Sequence, residues 1–312
     1  MRRFVLRWRV TAAGLRPRVT LPPIGRQRLA AALGSRGAAP RKRHGQHFLL
    51  DENLLAAIVR DAQVERGDTV LEIGPGPGLL TRHLLSTGAS VVAVEIDSVM
   101  EAVAAEFIDP SDHARLRWIH ADALAGGRAL GAELRAELPR VDLMVANLPY
   151  GIAGTLLAAL VCEEQGPRRQ VAMIQKEMGQ RLVAGVGTRN YGPLAVIMGL
   201  CAHVQVLRKV PPGAFWPPPK VDSVVVRVEL RQDRPSVTEM AGVQEFLALA
   251  FHNRRKTIWN SIDGATRGRQ RDRLESLLGD RPEKSSRAEA IHPVQLCALA
   301  KSWTVLGDAS GN

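Results

Sequence analysis

"TVLEIGPGPGLLTRHLL", Thr69–Leu85, decides how the chain is read. A short apolar run of strand length, Thr69–Ile73, meets three glycines at alternate positions, Gly74, Gly76 and Gly78, and passes into a helical stretch, Leu79–Ser86. Strand, glycine turn and helix in that order open an α/β unit built on a parallel sheet. Without side chains the backbone turns tightly and comes close to a ligand. The spacing is G-x-G-x-G, and Leu79 stands where a dinucleotide fingerprint would run on toward its third glycine, so a pyrophosphate cradle fits poorly.

The same rhythm continues on both sides. Strands are expected at "SVVAVE" (Ser90–Glu95), "LRWIHA" (Leu116–Ala121), "LMVA" (Leu143–Ala146) and "QVAMIQ" (Gln170–Gln175), with a helix over Val99–Phe107. Past Pro193, "HVQVLRKV" and "SVVVRVEL" flank the proline-rich "PPGAFWPPPK" and read as an antiparallel close to the sheet. A polar linker lies around Arg231–Ser236. Beyond it only helices are expected, over Val243–Ser261, Arg271–Leu278 and Pro293–Lys301.

Successive strand ends carry chemistry. Glu95 closes the second strand, about twenty residues after the glycine turn, where a carboxylate accepts hydrogen bonds from both hydroxyls of a ribose. Asp122 follows the third strand, where a carboxylate can face an adenine amino group. The bland reading of both is helix capping. Glycine, Glu and Asp at one sheet edge describe an adenosine site with little provision for phosphate, and S-adenosylmethionine fits it.

The fourth strand ends in "NLPY", Asn147–Tyr150. A side-chain amide, a stiff turn and an aromatic face suit a planar base that bears an amine. The exocyclic nitrogen of adenine is a poor nucleophile, so its positioning carries the catalysis. Asn147 Oδ1 and the Leu148 carbonyl are expected to accept its two hydrogens, Pro149 to stiffen the turn, and Tyr150 to stack on the base. The alternative is a helix N-cap followed by a proline turn.

Length and composition bound the rest. With 312 residues and 46% hydrophobic residues, one large core and a smaller one are possible. The nearly uncharged run Leu143–Cys162 would leave Asn147 and its backbone unsatisfied in lipid, which argues against a membrane span. Cys162, Cys201 and Cys297 form neither a disulfide framework nor a metal motif, so no metal and a reducing, intracellular compartment are expected. The net charge is +11, yet twelve Lys and Arg and no acid fall within the first fifty residues. A second basic cluster runs from Arg254, Arg255 and Lys256 to Arg267, Arg269, Arg271 and Arg273. Charge gathered in patches suits a polyanion such as RNA. The first twenty residues have three readings: a transit peptide, a basic arm, or sequence upstream of a misplaced start.

"GQHFLLDENLL", "EIGPGPG", "VVAVEID", "ADAL", "NLPY", "QKEMGQRLVA", "YGPLAV", "VPPGAFWPPPKVDSVVVRV" and "FHNRRKTIWN" occur in the order seen in the KsgA/RsmA ribosomal RNA adenine dimethyltransferases, which this chain resembles from about Leu21 to Lys301. The resemblance implies a Rossmann-like class I methyltransferase fold with a mixed sheet (41–232), a small all-helical C-terminal domain that grips RNA (237–305) and a basic, partly disordered N-terminal arm (1–40). It implies cofactor contacts at His47, Leu49, Gly74, Gly76, Glu95, Asp122 and Asn147, and RNA contacts at Arg43, Lys220, Arg254, Arg255 and Lys256. Phe215 resembles a second aromatic wall opposite Tyr150, with Trp216 as the other choice. The chain departs from the family where Arg43 and His44 replace Ser and Leu, and where Gly151 replaces Asn.

The implied activity is transfer of methyl groups from S-adenosylmethionine to N6 of two adjacent adenines in a hairpin loop near the 3′ end of small-subunit rRNA. The implied partner is the immature small ribosomal subunit, met by a monomer. A bacterial cytoplasm is the first expectation for its location and a mitochondrial or plastid matrix the second. The competing readings are a methyltransferase for large-subunit rRNA, a non-catalytic assembly or organellar transcription factor of the same fold, and a nicotinamide enzyme.

Overall fold

The computed structural model describes residues 21–41 and 46–308. Arg43, His44 and the first twenty residues, with their three readings, lie outside the described residues. Seven strands form one sheet: β2 (Thr69–Ile73), β3 (Ser90–Glu95), β4 (Leu116–His120), β7 (Leu143–Asn147), β8 (Arg169–Gln175), β9 (Ala202–Val210) and β11 (Ser223–Leu230). β1 (Phe48–Leu49) pairs with β10 (Phe215–Trp216) in a separate short ladder, and β5 (Leu124–Ala125) pairs with β6 (Ala129–Leu130) in another.

The order across the large sheet is β4-β3-β2-β7-β8-β11-β9. The pairs among β4, β3, β2, β7 and β8 are parallel, while β11 runs antiparallel to both β8 and β9. From β2 the chain steps outward through β3 to β4 and then crosses back to β7 on the other side of β2. The connections leaving β2 and β7 therefore diverge, and a crevice opens at their carboxyl ends, where open α/β sheets take their ligands.

Both faces of the sheet are covered, as a parallel sheet requires. Val70, Val91, Ala93, Val145 and Val171 point to one face, against α1 (Arg26–Gly34), α2 (Glu52–Ala62), α3 (Leu79–Leu85) and α4 (Val99–Ala104). Their alternate neighbours, among them Leu71, Val92, Val94, Met144 and Ala172, point to the other, against α5 (Ala132–Glu137), α6 (Ala153–Cys162) and α8 (Pro193–Cys201). α7 (Lys176–Leu182) lies between β8 and α8. Gly78 caps α3 with φ +75°, and a Cβ there would stand 2.9 Å from the Ala104 methyl, so the glycine is what lets α3 and α4 approach.

Residues 237–308 are helical apart from short connections: α9 (Val237–Ala250), α10 (Ile258–Thr266), α11 (Arg271–Leu278) and α12 (Pro293–Asp308). Phe246, Leu274, Leu296 and Trp303 belong to the same continuous apolar cluster as Leu156 and Val196 beneath the sheet. The single helix expected over Val243–Ser261 is two helices. The polar run His252–Lys256 carries three adjacent cations and cannot be buried, and the Thr257 hydroxyl starts α10 afresh by accepting from the Asn260 N–H at 3.3 Å.

Within the described part of the stretch expected as a basic arm (1–40), α1 inserts Leu29, Ala32 and Leu33 into the core, and Ile24 is 1% exposed. Counting charge hid that apolar stripe at helical spacing. The apolar run Leu143–Cys162 divides into β7 and α6, and among the described residues no helix is long and apolar enough to cross a membrane.

Candidate active site

The crevice at the sheet edge encloses a cavity of about 260 Å³. Gly74, directly after β2, Glu95, the last residue of β3, Asp122, just beyond β4, and Asn147, the last residue of β7, all line it. His47, Gly76, Leu148, Pro149 and Tyr150 complete the set brought together as expected. Gly74 has φ +66°, and a Cβ there would lie 3.2 Å from the Pro149 ring, so a bare backbone lets the turn after β7 close over the turn after β2.

Glu95 is 5% exposed. Its Oε2 accepts the Gly76 N–H at 3.0 Å and its Oε1 the Asp97 N–H at 2.9 Å. Burial raises its pKa against the opposing pull of those bonds. Asp122 is exposed at the rim, with Oδ1 accepting the Leu124 N–H at 2.9 Å.

Asn147 donates from Nδ2 to the His47 carbonyl at 3.0 Å. This bond assigns the two ends of the amide: the donor is spent on the protein, and Oδ1 is the end left for a ligand. Leu148 is anchored by donating its N–H to the Met173 carbonyl at 3.1 Å, which ties the turn to β8.

His47 does more than border the cavity. Its ring stacks on Tyr150 with centroids 5.6 Å apart and planes 27° from parallel, and its Nδ1 lies 2.7 Å from the Pro217 carbonyl. A carbonyl oxygen only accepts, so Nδ1 carries the proton. The Tyr150 hydroxyl is 2.7 Å from Ser223 Oγ at the start of β11, and Ser223 is fully buried. Burial outweighs this hydrogen bond and raises the Tyr150 pKa. The tyrosine ring is thus held along one face by His47 and at its tip by Ser223. At the neighbouring Gly151 a Cβ would meet nothing within 4 Å, so the departure from the family's Asn leaves that seating intact.

Several expected residues stand elsewhere. Leu49 is buried beside the cavity and lines a smaller one behind Phe48 and Gly74. Phe215 is 4% exposed, paired through its backbone with Leu49 and packed in the core beside Phe48, outside the set of residues that line the cavity. Successive strand residues face opposite ways, and the half-buried Trp216, with the Arg26 guanidinium 5.6 Å from its ring centroid, is the one nearer the surface.

The basic cluster is partly spent on the protein itself. Arg254 bonds Glu289 at 2.9 Å and the Arg189 carbonyl at 3.0 Å. Arg271 bonds Asp263 at 2.9 Å, and Arg273 lies over the Trp303 ring at 3.9 Å while donating to the Trp303 carbonyl. Lys220, Arg255 and Lys256 are exposed.

Four contributors went unnamed in the sequence reading. Ile96, 56% exposed, offers the cavity an apolar face next to Glu95. Ser223 seats Tyr150, while Gln46 Nε2 donates to Asp97 Oδ2 at 3.3 Å and so clips the segment before α2 to the end of β3. All four lie inside or beside recognisable stretches, "GQHFLL", "VEID" and "KVDS", but their partners are remote in sequence.

Relatives place this geometry. Residues 37–298 match the family described as ribosomal RNA adenine dimethylase. A ribosomal RNA small subunit methyltransferase A from Phenylobacterium zucineum is 40% identical over 90% of this chain and 94% of its own length. One of the same name from Thermosynechococcus vestitus is 38% identical over 84% and 96%. Among solved structures, a dimethyladenosine transferase from Plasmodium falciparum shares the fold with a TM-score of 0.66, at 24% identity over 84% of this chain and 98% of that one. The 23S rRNA methyltransferase ErmE gives a TM-score of 0.54 at 23% identity, over 82% and 99%. A family match across most of the chain, relatives well above 30% identity and an amide-bearing turn at the switch point agree: the chain belongs to the ribosomal RNA adenine dimethylase family.

Proposed function

We propose that the protein transfers methyl groups from S-adenosylmethionine to N6 of two adjacent adenines in the 3′-terminal hairpin loop of small-subunit rRNA, leaving each N6,N6-dimethylated. The observation that carries this reading is the fixed Asn147 amide, its Nδ2 held by the His47 carbonyl, in the same cavity as Glu95 and Asp122.

The cavity fits the cofactor. Glu95 closes one wall with a buried carboxylate whose oxygens each have a lone pair free for a ribose hydroxyl, Ile96 gives an apolar face for a purine, and Asp122 stands at the rim for its amino group. Gly74 and Gly76 keep the floor of the turn free of side chains. When bound, S-adenosylmethionine supplies an electrophilic methyl group.

The chain's own residues then act on the target adenine. Asn147 Oδ1 and the Leu148 carbonyl accept its two amino hydrogens and set the nitrogen's lone pair toward the methyl donor. As positive charge develops on that nitrogen, the same bonds strengthen, so they lower the barrier more than they tighten ground-state binding. Tyr150, held by His47 and Ser223, offers its ring to the base, and stacking of this kind contributes about 1–3 kcal/mol. A loop base is cheaper to extrude than a paired one.

Exposed Lys220, Arg255 and Lys256 are among the cations available for rRNA phosphates and for the immature small subunit, which the protein meets as a monomer. Bacterial relatives support a cytoplasmic location ahead of a mitochondrial or plastid matrix. The test is mass spectrometry of the small-subunit hairpin after incubation with the pure protein and cofactor. Two dimethylated adjacent adenines are expected, and an unmodified hairpin overturns the proposal.

A further inference from the structure

Glu72 has no part in the chemistry above, yet it is the most confined carboxyl beside the cleft. It stands on β2 two residues before Gly74 and is 1% exposed. Its Oε2 accepts the Thr81 hydroxyl of α3 at 2.7 Å. Among the described residues no Lys, Arg or His pairs with it. The charged group that faces it is Glu95 from β3, a second carboxylate, which repels it. Phe48 and Leu49 from β1, Leu55 from α2, Leu79 and Leu80 from α3 and Asn147 from β7 surround it without charge.

These residues and Glu72 line a small cavity of about 30 Å³, which shares Phe48, Gly74 and Asn147 with the main cleft. A carboxylate taken out of water without a cation is strongly disfavoured, so the group stays neutral until positive charge arrives nearby. Burial and the neighbouring Glu95 push its pKa up to about 8, so at neutral pH the empty protein holds this proton.

We propose that Glu72 is a proton-linked counter-ion for the methyl donor: its carboxylic acid ionises when a positively charged group of the ligand enters the adjoining cleft, and the proton passes to solvent. This rests on the cofactor reading given above. The chemistry recognised is a cation in the cleft. S-Adenosylmethionine carries two, its sulfonium and its ammonium, S-adenosylhomocysteine keeps the ammonium alone, and 5′-methylthioadenosine has neither. Because a proton must leave, affinity for the cationic ligands rises with pH below the pKa of the empty site, approaching tenfold per unit.

The test is isothermal titration at pH 7.0 in two buffers of different ionisation enthalpy, which counts protons released per ligand bound. Release approaching one proton is expected with S-adenosylmethionine, alone or together with S-adenosylhomocysteine, and none with 5′-methylthioadenosine. Release by the first alone assigns the sulfonium, and release by both assigns the ammonium. In Glu72→Gln the release disappears while binding persists. Binding of both cationic ligands without proton release overturns the proposal, as does equal release by the neutral nucleoside or undiminished release in the variant. Should the variant fail to fold, the charged and neutral ligands on the wild-type protein decide the matter. Failure of the cationic ligands to bind at all counts against the cofactor reading itself.

Discussion

The Asn147 amide donates to the backbone carbonyl of His47, 3.0 Å away and a hundred residues earlier in the chain, and the His47 ring lies stacked on Tyr150. One residue before α2 therefore orients both the amide and the aromatic ring of the turn after β7. The carbonyl needs no particular side chain, whereas the stacking does, so the two effects separate by mutation.

Asn147→Ala removes the acceptor for the adenine amino group. The turnover number is expected to fall on the order of 10²–10³-fold, the range seen when a transition-state hydrogen bond is lost. RNA affinity, carried by surface cations, is expected to stay nearly unchanged in a filter-binding assay.

Tyr150→Ala and Tyr150→Phe are expected to differ. The alanine loses the stacking surface, about 1–3 kcal/mol, and raises KM for the RNA accordingly. The phenylalanine keeps the ring but leaves the buried Ser223 hydroxyl without its partner, at a cost of about 1–3 kcal/mol in folding stability. Steady-state kinetics beside thermal denaturation distinguish the two.

Glu72→Gln is expected to stabilise the folded protein at alkaline pH. The folded pKa of about 8 lies above the reference value of 4.5, so the native state holds a proton that the unfolded chain releases. That stability is fully present below the unfolded pKa and is lost as pH rises through the folded one. Glutamine cannot ionise, and its advantage over wild type should grow between pH 5 and pH 8 by a few kcal/mol. Denaturant titrations at both values measure it, and a pH-independent difference contradicts the assignment.

Charge reversal should separate two adjacent arginines. Arg255→Glu is expected to weaken RNA binding and lower the salt slope by about one, because an exposed cation is lost. Arg254→Glu breaks the contacts to Glu289 and the Arg189 carbonyl, so part of its effect should appear in stability, at roughly the 1 kcal/mol of a surface ion pair. Binding measured against salt concentration, with melting curves for both variants, tests the division.

Leu29→Ala is expected to destabilise the protein by about 2–5 kcal/mol, since this side chain of α1 is fully buried. A neutral result would show that α1 adds nothing to the core.

Strands β2 and β3 were legible to the residue, because a parallel sheet buried on both faces writes itself as short apolar runs, and so was antiparallel β11, whose valine-rich run stands between a proline-rich and a polar segment. The break at His252–Lys256 was not, because local helical pattern crosses it and the polarity that ends α9 matters only where the neighbouring helices leave no room. α1 was not, because Arg26 and Arg28 continue the acid-free basic stretch before it and only packing shows that Leu29, Ala32 and Leu33 face inward.

For the site, the order of motifs along the chain placed Gly74, Glu95, Asp122 and Asn147 at one sheet edge, since strand ends in this topology must converge there. The sequence by itself therefore determined the family, the sheet and the residue types facing the cleft. Only the tertiary structure decided which way the Asn147 amide points, that Ser223 and His47 hold Tyr150, that Phe215 turns inward, and that Arg254 is tied to Glu289. Each of these is a contact between residues far apart in the chain. Their geometry follows from how helices and strands pack in three dimensions, which local pattern does not specify.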